Sequence, residues 1–189
     1  MAGPFYTIMQ DKEYLDNFEI TLYKNLHGYL LAQNEVDKMK PDAPDIEDKW
    51  EQICQSYLPD GMREFSDYPT VSLGWMMFIG MAVAQLWDDD WEKFSKEKDL
   101  YFFLREVRGY DCMDEHICED ILKLNADEAK ALTKLCGDMA LSAHHALLHE
   151  GFEPGTPMAF HAYVRTLHQL YLAGAAVQLK RMGYHMTKI

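Results

Sequence analysis

Basic side chains are in short supply in this sequence: 18 Lys and Arg stand against 31 Asp and Glu, for a net charge of −13 over 189 residues. Binding to a phosphate backbone needs a basic surface whose cations displace counterions. The charge balance therefore argues against nucleic acid as a partner, and against attraction to anionic lipid. Cysteine is sparse and unpatterned, with Cys54, Cys112, Cys118 and Cys136 forming no C-x-x-C pair. That argues against a disulfide scaffold and a four-cysteine zinc site, and for free thiols in a reducing compartment. The N-terminal MAGPFYTIMQDKEYLD has neither a basic leader nor an apolar run, so no signal peptide is read and a cytoplasmic location is expected.

Strand signals are also missing: Val and Ile are few, alternating runs are not bounded by turns, and there is no Asn-Gly hairpin. No repeat at a period of about 20 to 50 residues points to a solenoid. No composition break divides the chain, so residues 1–189 are expected to form one domain, of a length that supports one core. The chemical signatures are absent as well. There is no G-x-S-x-G, no glycine-rich phosphate loop, no H-E-x-x-H, and no nucleotide or haem motif.

What the sequence does have is the stretch VSLGWMMFIGMAVAQLWDDDW, Val71 to Trp91. Its 17 uncharged residues up to Trp87 touch the lower limit of about 17 to 25 for a membrane span. Ser72, Gly74, Gly80 and Gln85 dilute it, and Asp88, Asp89 and Asp90 close it where basic or aromatic anchors would be expected. A buried helix of a soluble bundle is the better reading, and no membrane association is expected. Gly80 and Ala84, one turn apart, would leave a groove where a neighbouring backbone could approach closely.

Around this element the periodicity predicts further helices. Leu15, Phe18, Leu22, Leu26, Tyr29 and Val36 mark a stripe on a helix from about Asp11 to Met39, ended by Pro41 and Pro44. Ile46, Trp50, Ile53 and Tyr57 mark a second, capped by Asp45, after which Pro59-Asp60-Gly61 reads as a turn and Met62 to Pro69 as a loop. The central helix is expected from Thr70 to about Lys96. Short helices follow Asp99 and Asp111, the first closed by Gly109. Asn125 with Glu128 caps a helix that stops at Gly151, and Thr156 with Pro157 starts the last one, whose LYLAGAAVQL segment is apolar nearly all round. The expected fold is thus all-α: a single-domain bundle of five to seven helices, with a central apolar helix near 71–95 and a second core helix near 157–182.

Two groups of residues could carry chemistry. Asp138, Ser142, His145 and His149 fall on one narrow stripe, and a His pair at i and i+4 can share a metal ion, although a solvated helix face has the same pattern. His161 and His168, two turns apart, flank the apolar face of the last helix and are expected to point into a helix interface. Trp87-Asp88-Asp89-Asp90-Trp91 offers carboxylates to a hard divalent cation, with Asp90 nearest the tryptophan side. Convergence of Asp90 with His161 and His168 would make a metal site of the kind helical bundles hold.

Clear helical patterning without catalytic signatures favours a binding or assembly module. Aromatic residues at 13% of the chain suggest more apolar surface than one core buries, and so a homo-oligomer or protein partner. The alternative is a metal- or cofactor-dependent enzyme with its His/Asp site between the central and C-terminal helices. A third possibility is an apolar-ligand pocket beside the Gly80 groove.

Overall fold

The computed structural model describes residues 4–185, so the first three residues of the N-terminal segment and the last four of the chain lie outside it. Eight α-helices are present among these residues, and no strand. They are α1 (Pro4–Ala32), α2 (Pro44–Glu47), α3 (Trp50–Asp67), α4 (Pro69–Phe94), α5 (Leu100–Arg105), α6 (Met113–His116), α7 (Ala126–Glu150) and α8 (Pro157–Arg181), with a π-helical turn, Ile117–Ile121, after α6. The chain is an all-α bundle built around α4 and α8.

Several helix ends are determined locally. The Asn125 side chain accepts from the Glu128 amide at 2.8 Å while the Glu128 carboxylate accepts from the Asn125 amide at 3.1 Å, a complete capping box for α7. At the start of α8 the Thr156 side chain accepts from the Ala159 amide, and at the start of α5 that of Asp99 accepts from the Phe102 amide, each a single N-cap bond. α1 ends at Ala32, earlier than the apolar stripe suggests, because Asn34 adopts a left-handed φ of 60°. The Glu35 amide then reaches back to the Leu30 carbonyl at 2.9 Å and the Asn34 amide to Leu31 at 3.0 Å. This Schellman arrangement turns the chain so that Val36 enters the core.

Three further expectations are corrected. Pro59-Asp60-Gly61 is not a turn, and Met62 to Pro69 is not a loop: α3 runs through both to Asp67. Pro59 faces solvent, so the backbone carbonyl it leaves without an intrahelical donor can be hydrated. Tertiary contacts supply the rest. Asp60 is buried and accepts hydrogen bonds from Tyr101 at 2.6 Å, Arg105 at 2.8 Å and Arg63 at 2.7 Å. Next to it, Ser72 donates to the Gly61 carbonyl at 2.8 Å and also meets the Tyr163 hydroxyl, while Tyr57 donates to the Ser72 carbonyl at 2.5 Å. A methyl group on Gly61 would collide with the Tyr57 ring and the Tyr163 hydroxyl, so glycine is dictated there by packing and not by a turn.

The second correction concerns α4, which does not continue smoothly to Lys96. It breaks at Asp90, whose backbone is extended at φ −165° and ψ 78°. The Asp90 carboxylate then accepts from the Lys93 amide at 3.2 Å, which makes it the N-cap of the last turn. Third, Asp45 does not cap a helix: it lies inside α2 and accepts the Trp87 indole N–H at 3.0 Å.

α4 and α8 lie side by side and run parallel. Ser72 meets Tyr163 near their starts, and Gln178 donates to Gln85 at 2.8 Å near their ends. Their crossing is unusually close. A Cβ on Gly80 would lie 2.0 Å from the Tyr171 carbonyl oxygen, and one on Gly174 would lie 2.1 Å from that of Met77. The groove anticipated at Gly80 therefore exists, and α8 itself fills it. α1 runs parallel to α8, linked by Arg165 to Asp16 and, at 3.3 Å, to Glu19. α7 lies antiparallel, with Tyr29 donating to Asp138 at 3.2 Å and Tyr14 bonded to Glu150. α4 is long and apolar enough to span a bilayer, but 72% of its most apolar window is buried by the other helices, which fits the core of a soluble protein.

Candidate functional site

The bundle leaves a cleft of about 420 Å³ between α1, α2, α8 and the segment that joins α1 to α2. Its floor is Leu26 and Leu30 from α1, Val36 from the joining segment, Ile46 from α2, and Leu172 and Leu179 from α8. The space exists because α8 presents Ala173, Ala175 and Ala176 here, three side chains too short to reach across to α1.

The walls are braced. Tyr171, whose phenol burial keeps protonated, donates to the Ile46 carbonyl at 2.7 Å. His168 Nε2 meets the Glu47 carboxylate at 2.9 Å while its ring stacks on Trp50, with centroids 4.7 Å apart and planes within 14°. With the Trp87 to Asp45 bond, these contacts clamp the four-residue α2 to the core. On the other side, His27 Nε2 donates to the Lys38 carbonyl at 3.1 Å, and Lys180 holds the Asn34 side chain at 3.0 Å and the Val36 carbonyl at 3.3 Å. Pro41 and Pro44 stiffen the strap between them. The cleft is held open by fixed polar contacts, as a preformed ligand site requires.

Its rim carries Lys40, Asp42, Glu47 and Asp48, with Tyr23 and His27 stacked at 5.3 Å beside them. The Lys40 ammonium lies 5.3 Å above the Tyr23 ring. Burial raises the Tyr23 phenol above its ordinary pKa, so it remains a neutral donor. No nucleophile is held against a base in this arrangement; it offers apolar surface with a charged edge.

No known protein family, characterised sequence or solved structure matches this chain. The site rests on geometry alone.

The residues singled out from the sequence are not assembled. Asp138 is engaged by Lys134 at 2.7 Å and by Tyr29, and these partners hold its carboxyl below the ordinary range, the Lys134 bond foremost. His145 and His149 are exposed on α7. His161 is exposed too and meets the ring of Phe160 edge-on, so it does not enter a helix interface. His168 does enter one, as a brace of α2. Asp90 caps a helix turn. Because α4 and α8 are parallel, Asp90 lies at the end of the pair remote from both histidines. At 1.5 Å per residue the separation along the axis is about 20 Å from His168 and about 30 Å from His161, so no common pocket forms. Among the described residues no three His, Cys, Asp or Glu side chains could hold a metal ion together. The residues that sequence reasoning missed are the cleft's own. The run Ala173-Gly174-Ala175-Ala176 was the available signal, since small side chains on a core helix mark a place where something else approaches: backbone at Gly174, open space at the alanines.

Proposed function

We propose that this chain is a cytoplasmic, non-catalytic binding module that takes a small apolar molecule into the cleft between α1, α2 and α8. The observation that carries the reading is the braced, alanine-lined opening of about 420 Å³, within the roughly 300–1,000 Å³ of small-molecule sites. For self-association the support is the exposed aromatic surface at Tyr68 and Phe102, whereas Tyr57, Tyr101, Tyr171 and Phe78 are fully buried in the chain's own core. The free cysteines fit a reducing compartment.

The test is titration with Nile red, a neutral apolar dye, followed by competition with octanol. The wild-type chain is expected to bind saturably at one site and to release the dye to octanol. Ala173→Phe places a ring in the cleft from a half-exposed position. Displacing ~100 Å² of apolar contact costs about 2.5 kcal/mol, a loss in affinity of roughly sixty-fold with the thermal midpoint retained. Equal binding by Ala173→Phe, or no saturable binding by the wild type, overturns the reading.

A further inference from the structure

Granting the cleft as a ligand site, we propose that its ligand is an amphiphile with a cationic head, an alkylammonium group at the end of an apolar body. The floor is uncharged, so discrimination falls to the rim. Asp42, on the strap, and Asp48, at the end of α2, are exposed carboxylates with no ion-pair partner among the described residues. Glu47 adds a third, shared with His168. Among the described residues the one rim ammonium, Lys40, lies over the face of Tyr23. An anionic head would meet more negative than positive charge at the mouth and would approach a chain carrying −13. A cationic head meets the opposite field, and the Tyr23 ring beside its path already carries one ammonium, that of Lys40, so this edge accepts a cation. The charge and the Tyr23 ring favour the same sign of ligand.

Three compounds with one apolar body separate the head from the tail: octylamine, octanol and octanoate, titrated calorimetrically into the full chain near neutral pH, with amide NMR shifts at Ala173 and Ala176 locating the site. The expected order is octylamine tightest and octanoate weakest. Octylamine affinity should fall as salt is raised until the screening length is below about 8 Å, while octanol affinity stays level. The double variant Asp42→Asn/Asp48→Asn removes two exposed carboxylates from helix-free or helix-terminal positions. For an ammonium roughly 7 Å from each, it should weaken octylamine by about ten-fold and leave octanol within about two-fold. Octanoate or octanol binding as tightly as octylamine, or an unchanged double variant, overturns the cationic head and leaves the apolar site standing. Failure of all three compounds to bind overturns both.

Discussion

Replacing Gly80 by alanine sets two physical effects of opposite sign against each other. Helix propensity alone makes the change stabilising by about 1 kcal/mol, since α4 is helical through Gly80. Packing opposes it. The added methyl group would stand 2.0 Å from the Tyr171 carbonyl oxygen, against 3.4 Å for an ordinary contact, so the α4–α8 crossing must open by about 1.4 Å. The obstacle is backbone, so no rotamer change relieves it. Overpacking of this kind costs about 1–3 kcal/mol, and a clash between two main chains belongs at the upper end. The net expectation is a loss of about 2 kcal/mol, or a fall in melting temperature of roughly 4–8 °C for a chain of this length. Thermal and urea unfolding followed by circular dichroism measure both quantities. Gly174→Ala, with its methyl group 2.1 Å from the Met77 carbonyl, should behave alike. The double variant should cost less than the two losses combined, because one widening of the crossing relieves both clashes. Gly137→Ala is the internal control: it lies in α7, its methyl group would meet nothing within 4 Å, and it should raise stability by about 1 kcal/mol. A Gly80→Ala chain as stable as the wild type would refute the close crossing.

Asp60 gives an acid-range prediction. Burial alone would raise its pKa, but the Tyr101 hydroxyl and the Arg105 and Arg63 guanidinium groups outweigh that and hold it below the ordinary value. A depressed folded-state pKa contributes stability that is present above the unfolded value near 3.9 and is lost as pH falls through the folded one. Asp60→Asn should therefore cost about 2–3 kcal/mol near neutral pH and flatten the decline in stability below about pH 4; equally steep acid unfolding in both chains would count against it. For the thiols, burial pushes Cys54 and Cys118 to about 11 and Cys136 higher than its ordinary range as well. Only the half-exposed Cys112 should react promptly with a thiol reagent in the native chain, all four reacting in denaturant, and fast labelling of a second cysteine in the folded protein would contradict the burial.

The parts of this fold that are legible in the sequence are those decided within a few residues. Thr156-Pro157, Asn125 with Glu128, and Asp99 announce helix starts because capping is a local hydrogen bond. The apolar stretch after Val71 announces a buried axis because no face of it is polar enough for water. Gly80 announced a close approach without saying whose backbone approaches. Pro59-Asp60-Gly61 misled because its local chemistry is that of a turn, whereas Tyr101, Arg105, Ser72 and Tyr163, all distant in sequence, hold it helical. The histidines misled for a related reason: spacing places residues on a face but does not say what that face meets. The cleft was the least legible feature. It depends on alanines being opposite a strap pinned by Lys180 and His27, and an opening between distant segments leaves no periodic trace.

The parallel pairing of α4 and α8 has a consequence for how the chain must be made. Gln85 and its partner Gln178 are 93 residues apart, and Ser72 and Tyr163 are 91 apart. During synthesis, α4 leaves the ribosome with its most apolar surface uncovered and waits for nearly half the chain before its main partner arrives. Local helix formation is fast, but closing so long a loop is slow, and an apolar helix left waiting invites wrong partners. α8 completes the core around α4, so a chain cut short before α8 should depend on chaperones or aggregate.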